Sequence, residues 1–261
     1  MVALIDIHSH ILWQVDDGSE SFKMSCSMLK KAAASGTRVI YATPHVIENY
    51  GEDNWQDAKR RAARLSSFCV EQQLDLRVLL GAEVMMNWDL LPFLGTGGAC
   101  CMGASSYMLV ELPLNEIPAY ADAFWEELRL KGVKPILAHP ERYRRLDTQK
   151  ELLLKWRRKG LLLQVNAGSL TGLWGAKAAE AARELILCGL CDFIGSDAHR
   201  DAGRDTDMSR AEAKIRSLAG DAALEHIARE NPARLESGER IFIPPPKTKK
   251  RRGFFARLLG L

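Results

Sequence analysis

Short apolar runs alternate along the chain with longer segments whose apolar residues recur every three or four positions. The short runs are nearly continuously apolar, which is typical of strands buried on both faces. The longer segments have the periodicity of amphipathic helices; residues 21–36, for example, place Met24, Met28, Leu29 and Ala32 on one face before a glycine stop. The predicted strands cover 4–8, 37–43, 76–83, 107–112, 134–139, 161–166 and 191–196.

The alternation of strands and helices predicts an α/β fold with parallel strands and helices outside them. Seven such units favour closure into a barrel over an open sheet, and α/β barrels often use about 200–250 residues as one domain. We therefore expect a single barrel domain over residues 1–243 of the 261. Residues 244–261 are expected to form a Pro-rich junction and a basic amphipathic tail.

The composition is that of a soluble globular protein, with 47% hydrophobic and 26% charged residues. No apolar stretch approaches the roughly 18 residues of a membrane span, and the N-terminus lacks the basic region of a signal peptide. We therefore expect a cytoplasmic protein. The net charge is +3, but the last fifteen residues hold six basic residues and no acid, which leaves −3 for the rest. A net charge of −3 over residues 1–246 gives no indication of a basic groove, so we expect no nucleic-acid partner.

The C-terminal tail, residues 247–261, pairs its basic cluster with Phe254, Phe255, Leu258 and Leu259. These four are spaced for one helical face, and basic residues attract anionic lipid. The tail predicts peripheral contact with the inner face of a membrane. A solvated terminus is the alternative.

The six cysteines are scattered, and most lie in apolar company, so we interpret them as reduced core residues. Cys188 and Cys191 form a C-x-x-C pair, but no second pair completes a zinc site. No cysteine is followed six positions later by arginine, so the C-x5-R signature of cysteine-based phosphatases is absent from the sequence.

Histidines and acids collect at the ends of the predicted strands. In a parallel barrel the carboxyl ends of all strands face one mouth, where active sites are built. A lone histidine at a strand end is more often a surface residue than a ligand, but packing alone does not explain the joint pattern, because unpaired charges at a core edge are costly. The residues concerned are His8, His10, His45, Glu83, Glu111, His139, Asp197 and His199.

His8 and His10 stand two positions apart at the end of the first run. Residues i and i+2 of a strand point to the same side, about 6.5 Å apart, so both rings can reach one metal. Asp6 shares that face and is placed to orient a ligand. Asp16 and Asp17 follow in a turn, and either offers a carboxylate.

Two arginines lie close to these motifs. Arg142 comes three residues after His139, and Arg204 comes five after His199. Guanidinium groups bind phosphate oxygens well, although a surface salt bridge is the commoner role of an arginine.

The motifs HSH, VDDGS, ATPH, GAE, LVEL, AHPER and SDAH, in this order, resemble the polymerase-and-histidinol-phosphatase (PHP) superfamily. Within it, the chain is most similar to the bacterial metal-dependent protein tyrosine phosphatases of capsule and exopolysaccharide synthesis. The resemblance spans about residues 4–235. It implies a distorted (βα)7 barrel of TIM-barrel type and three divalent cations, manganese above all, with iron, zinc or magnesium as alternatives.

The resemblance also implies roles for single residues. Arg142 and Arg204 would hold the phosphate, with Arg200 as a competitor of Arg204, and Asp16 is a weaker rival of Asp17. The implied metal ligands are His8, His10, Asp17, His45, Glu83, Glu111, His139, Asp197 and His199.

The implied function is hydrolysis of phosphotyrosine, through a hydroxide that bridges the metals, on a membrane-bound tyrosine kinase of polysaccharide export. A small-molecule phosphatase of the same superfamily, such as histidinol phosphatase, is the alternative. A metal-binding regulatory module without catalysis is a third hypothesis, against which the complete ligand set argues.

Overall fold

A computed structural model describes residues 3–144 and 150–246. Strands and helices alternate along most of this range, and all paired strands are parallel, which confirms the predicted α/β class. The strands are β1 (Leu4–Ser9), β2 (Thr37–Ala42), β3 (His45–Val46), β4 (Arg77–Leu80), β5 (Glu83–Met85), β6 (Tyr107–Glu111), β7 (Lys134–Ala138), β8 (Leu162–Asn166) and β9 (Phe193–Gly195). The α-helices are α1 (Phe22–Ala34), α2 (Glu52–Glu71), α3 (Ala121–Leu130), α4 (Lys150–Arg158), α5 (Ala167–Leu170), α6 (Gly175–Leu187), α7 (Ser209–Ala219), α8 (Asp221–Glu225) and α9 (Asn231–Ser237).

The predicted strand 37–43 corresponds to β2 and is followed by the short β3 outside its predicted bounds, whereas the predicted strand 76–83 is interrupted and divides into β4 and β5. Thr43 and Pro44 separate β2 from β3, and Gly81 and Ala82 separate β4 from β5. Proline has no N–H to give to a ladder, which explains the first break. At the second, a side chain on Gly81 would lie 2.5 Å from the sulfur of Met102, so the backbone there passes close to a neighbour. The interruptions place His45 and Glu83 in short strands of their own.

The strands form two ladders, β1-β2-β4 and β3-β5-β6-β7-β8-β9. The chain passes from the first ladder to the second at two places, because β2 leads directly into β3 and β4 leads directly into β5. At the other side, Ser9 forms an isolated parallel bridge with Ala198. The backbone N–H of His10 donates to Ala198 O at 2.8 Å, and that of Asp197 donates to His8 O at 2.8 Å. The end of the first strand therefore lies beside the segment that follows the last.

Alternate strand residues divide between two apolar clusters. Met108 and Val110 of β6 belong to the larger cluster, which also contains the inner faces of the helices. Tyr107 and Leu109 belong to the smaller one, composed mostly of strand residues. This two-sided burial explains the nearly continuous apolar runs in the sequence. Every helix of the described residues is too short or too polar to span a lipid bilayer.

A buried ion pair joins α4 to the segment before β9. The guanidinium of Arg157 contacts the carboxylate of Asp192, and both side chains are at least 96% buried. Asp192 also accepts a hydrogen bond from the backbone N–H of Leu163 at 2.8 Å. The backbone oxygen of Asp192 accepts one from the side chain of Asn231.

We expect Asp192→Ala to lower the free energy of unfolding by about 3–5 kcal/mol, because it leaves Arg157 as an uncompensated buried charge. Urea-induced unfolding measures the change. Glu71→Ala, which removes the exposed partner of Arg64, is the control and should cost about 0–1 kcal/mol. A loss for Asp192→Ala no larger than that of the control would contradict the prediction.

Candidate metal centre

The carboxyl ends of the strands hold the candidate ligands. His8 lies within β1, His45 opens β3, Glu83 opens β5 and Glu111 ends β6. The others lie in the loops that follow strands, namely His10, Asp17, His139, Asp197 and His199. Parallel strands direct these ends to one side of the fold, and the nine residues lie together there.

Four buried side chains converge most closely. The Nε2 atoms of His8 and His10 are 3.2 Å apart. Glu83 Oε2 lies 3.1 Å from both nitrogens, and Asp197 Oδ1 lies 3.5 Å from both. These four atoms form one of three groups of potential metal ligands among the described residues.

The two other groups share His45. In one, His45 Nδ1 lies 3.3 Å from Glu83 Oε2 and 3.0 Å from Glu111 Oε1. In the other, Asp17 Oδ1 lies 3.4 Å from His45 Nε2 and 3.2 Å from His199 Nε2, and His10 completes the group. His139 belongs to no group, but its Nε2 lies 2.7 Å from Glu83 Oε1.

The donor atoms fit divalent cations. His45 Nδ1 and His199 Nε2 are buried and have no hydrogen-bond partner among the described residues, although carboxylate oxygens lie 3.0 and 3.2 Å away. Ligands bound at about 2.1 Å to one cation lie about 3 Å from each other without bonding to each other. The mixture of imidazole and carboxylate suits manganese, iron or zinc.

Two polar residues orient the first pair of rings. Gln164 Oε1 lies 2.9 Å from His8 Nδ1, and Asp16 Oδ2 lies 2.8 Å from His10 Nδ1. Asp16 also accepts from the backbone N–H of His45. A hydrogen bond at Nδ1 fixes the orientation of an imidazole ring whose Nε2 is available to a metal ion. Asp16 therefore supports the cluster, whereas Asp17 belongs to a ligand group.

Sequence reasoning did not find Gln164, although a polar residue inside the buried run LLLQVN was a usable signal. Asp6 contacts the candidate ligand His8 through its backbone. Oδ1 of Asp6 accepts the backbone N–H groups of His8 and Ser196 at 3.1 and 2.9 Å. It therefore ties the first strand to the loop after the last.

Two candidate ligands have strained backbone. His139 has φ 33° and Asp197 has φ 52°, in the left-handed region that non-glycine residues seldom adopt. Such strain persists only where the surroundings over-determine it, and it clusters at functional sites. Gly195 shows how crowded the surroundings are, since a side chain there would lie 2.6 Å from His8 Cβ.

Both predicted arginines bind Asp197. Arg142 Nη1 donates to Asp197 Oδ2 at 3.1 Å. Arg204 donates from Nη2 to Asp197 Oδ1 at 2.5 Å and from Nε to the backbone oxygen at 2.7 Å. Arg200 instead donates to the backbone oxygens of Asp17 and Gly18. Of the two competitors, Arg204 is the one whose guanidinium contacts the carboxylate of a candidate ligand.

Trp174, which the sequence did not single out, packs against both guanidinium groups. Its ring centroid lies 4.1 Å from Arg142 Cζ and 4.9 Å from Arg204 Cζ. Both distances are within the range of cation–π attraction. Asp197 and Trp174 together hold the two cations side by side, with Arg142 16% and Arg204 23% exposed.

The carboxylates control protonation of the imidazoles. Burial lowers the pKa of His10 and His45, but Asp16 and Glu83 beside His10 raise its pKa to about 9. Asp17, Glu111 and Glu83 raise that of His45 to about 11. His199 differs, since burial and the charges of His10 and Arg204 lower its pKa to about 3.

Comparisons with known proteins identify the family of this chain. A family model for capsular polysaccharide synthesis, CpsB/CapC, matches residues 4–236. Tyrosine-protein phosphatase YwqE of Bacillus subtilis is 31% identical over 97% of this chain and 99% of its own length. CpsB of Streptococcus pneumoniae, also named a tyrosine-protein phosphatase, is 25% identical over 89% of this chain and 98% of its own.

A solved structure from work on YwqE and CpsB, described there as unique metal-dependent tyrosine phosphatases, is similar throughout. It has a TM-score of 0.87 at 30% identity and covers 95% of this chain and all of that one. The phosphotriesterase homology protein of Escherichia coli has a TM-score of 0.57 at 12% identity, covering 89% and 98%, and shares the fold alone. The family predicted from the motifs is confirmed.

We expect binding of Mn²⁺ to the metal-stripped protein to release protons and to weaken as pH falls from 8 to 6. His10 and His45, with pKa values of about 9 and 11, are protonated over this range and must lose their protons to become ligands, which lowers the affinity up to about tenfold per proton per pH unit. Titration calorimetry in buffers of different ionisation enthalpy counts the protons. His226→Ala, in a half-exposed helical position, should change nothing. An affinity independent of pH would refute the prediction.

Proposed function

The chain belongs to the CpsB/CapC family of capsular polysaccharide synthesis, and we propose that it is a metal-dependent protein tyrosine phosphatase. The observation that carries the proposal is the buried cluster of five imidazoles and several carboxylates, with two arginines bound to Asp197 of the same cluster. Asp197 contacts both the potential cation ligands and the two arginines, so cations and guanidinium groups lie close enough together to bind the same phosphate ester.

We propose nine residues as ligands of divalent cations, three in number and manganese before iron, zinc or magnesium. When bound, the cations supply a nucleophile at neutral pH and neutralise charge on the phosphoryl group. The residues proposed as ligands are His8, His10, Asp17, His45, Glu83, Glu111, His139, Asp197 and His199.

Arg142 and Arg204 bind the phosphate in this proposal. A guanidinium has five N–H groups, so contact with Asp197 leaves donors for phosphoryl oxygens. These donors neutralise the charge that develops as the ester bond breaks. Tyrosine leaves as a phenolate, with a pKa near 10, so the arrangement needs no strong general acid.

The cysteines support a mechanism without a thiolate. All six are buried. Burial raises the pKa of Cys69 and Cys101 to about 11 and that of Cys191 well above its usual range. A thiol of this kind is inert at neutral pH.

Exposed apolar residues around the metal cluster favour a polypeptide substrate. Five large ones lie in segments that follow strand carboxyl ends, on the side of the cluster: Ile47, Trp88, Leu114, Tyr120 and Leu173. The rings of Trp88 and Tyr120 are in contact, with centroids 5.9 Å apart. Contiguous apolar patches at the surface mark sites of protein interaction, and the contact between Trp88 and Tyr120 is the observation that supports such a patch here.

The finer architecture is also proposed. The neighbouring position of β1 and the segment after β9 supports a single distorted (βα)7 barrel over residues 1–243. The substrate would be a membrane-bound bacterial tyrosine kinase, which requires a cytoplasmic enzyme near the inner face of the membrane. The tail expected to contact that membrane, residues 247–261, lies outside the described residues.

We expect the manganese-loaded protein to release phosphate faster from a phosphotyrosyl peptide than from histidinol phosphate. His139→Ala should lose at least about a hundredfold in kcat/KM, because it removes a proposed ligand beside Glu83. Serine substitution of each cysteine should leave the rate unchanged. Preference for histidinol phosphate would refute the protein substrate, and a cysteine-dependent rate would refute the metal mechanism.

We expect Trp174→Ala to weaken inhibition by inorganic phosphate about tenfold, because two cation–π contacts of about 0.5–1 kcal/mol each are lost. Trp174→Phe should keep most of the inhibition, and bound manganese should stay constant in both variants. Leu130→Ala, exposed at the end of α3, is the control. Equal losses in the alanine and phenylalanine variants would contradict a role for the aromatic ring.

A further inference from the structure

A cavity of about 770 Å³ lies at the end of the fold opposite the metal cluster. It opens at the amino ends of three neighbouring strands, where Tyr107, Lys134 and Leu162 begin β6, β7 and β8. The end of α4 and the segment 240–246 form its other walls. Its volume is in the range of sites for small organic ligands.

The wall formed by the C-terminal segment is fixed in place. The Tyr107 hydroxyl donates to the backbone oxygen of Glu239 at 2.8 Å and accepts the N–H of Ile241 at 3.0 Å. Three consecutive prolines, 244–246, then restrict the backbone. A cavity with a stiff wall loses little conformational freedom when a ligand enters.

The charge of the lining is positive. Among the described residues, the lining contains Lys134, Arg157, Arg158 and Arg240 and no acidic residue. Arg157 is neutralised by Asp192, but Arg158 and Arg240 form no hydrogen bond or ion pair within the described parts of the chain. Lys134 Nζ lies 4.8 Å from the centroid of the Tyr107 ring and donates to the backbone oxygen of Gly238 at 3.4 Å. It has no carboxylate partner among the described residues.

The rest of the lining is apolar. Leu154, Leu162 and Ile241 are buried at its surface, and Phe242 is 68% exposed. Apolar walls with a few convergent charges are typical of small-molecule sites, in which the charges orient the ligand. The chain's own tail is a poor occupant, because residues 247–261 carry six basic residues and no acid.

We propose that this cavity binds one small anionic amphiphile per chain. Its anionic head group contacts Arg158, Arg240 and Lys134, and its apolar body packs against Leu154, Leu162 and Phe242. The proposal does not depend on the phosphatase activity, since no residue of the cavity belongs to the metal cluster.

The probe for this site is 8-anilinonaphthalene-1-sulfonate, a fluorescent apolar anion without a hydrolysable phosphate. We expect one equivalent to bind the manganese-loaded protein in the presence of excess inorganic phosphate, which occupies the metal site. N-phenyl-1-naphthylamine has the same rings without the sulfonate and should bind about tenfold more weakly or worse, a difference of about 1.4 kcal/mol.

The double variant Arg158→Glu/Arg240→Glu should weaken binding of the sulfonate by at least about tenfold and leave hydrolysis of p-nitrophenyl phosphate unchanged. Arg210→Glu/Lys214→Glu, an equal change of charge at exposed positions of α7, is the matched control and should bind as the unchanged protein does. Absence of binding, or equal binding by both double variants, would overturn the proposal.

Competition separates two sources of such a ligand. Displacement of the probe by laurate but not by phosphatidylglycerol vesicles would support a soluble amphiphile. Displacement by vesicles, together with co-sedimentation of the protein with those vesicles that weakens in Arg158→Glu/Arg240→Glu and not in Arg210→Glu/Lys214→Glu, would support a membrane lipid with the same chemistry. Failure of both competitors to displace the bound probe would overturn the assignment of the ligand class.

Discussion

The structure depends on the burial of Glu83 and Asp197 among imidazole rings. Each carboxylate is 1% exposed, a state that is costly unless the charge is compensated. Glu83 is shared by two ligand groups and also contacts His139. The surrounding rings hold the pKa of both carboxyl groups below their ordinary values in spite of burial. Strands from distant parts of the chain must therefore be in register at their carboxyl ends for either charge to be tolerated.

Asp197 connects the metal cluster to the arginines. One carboxylate oxygen faces His8 and His10, and the other accepts from Arg142 and from Asn166. Its strained backbone is tied to β1 through its N–H. A shift of this residue would change both the proposed ligand sphere and the anion-binding groups. Cation binding and phosphate binding are therefore expected to be coupled in this protein.

The two ends of the fold carry different chemistry. The carboxyl ends of the strands hold the imidazoles and carboxylates of the potential metal-ligand groups, whereas the amino ends of β6 to β8 border a cavity with cations and apolar walls. The buried pair of Arg157 and Asp192 lies at the second end and neutralises one of those cations. One wall of the amino-end cavity thus contains a residue of a structural ion pair, and no residue of its lining belongs to the metal cluster at the other end.

The sequence by itself determined the α/β class and the parallel arrangement of the strands. The class follows from the local periodicity of the helices, and the parallel arrangement follows from apolar runs that only burial on both faces explains. The sequence also determined which residue types stand at the strand ends, because polar groups there interrupt those runs. The residues alone left Asp16 and Asp17 as alternatives, between which only the resemblance chose. They did not show that Asp16 orients His10, that Gln164 holds His8, or that Trp174 contacts two arginines. Neither did they reveal the cavity formed when segment 240–246 meets α4. These depend on contacts between residues up to 156 positions apart, and only the packed tertiary structure brings such residues within bonding distance.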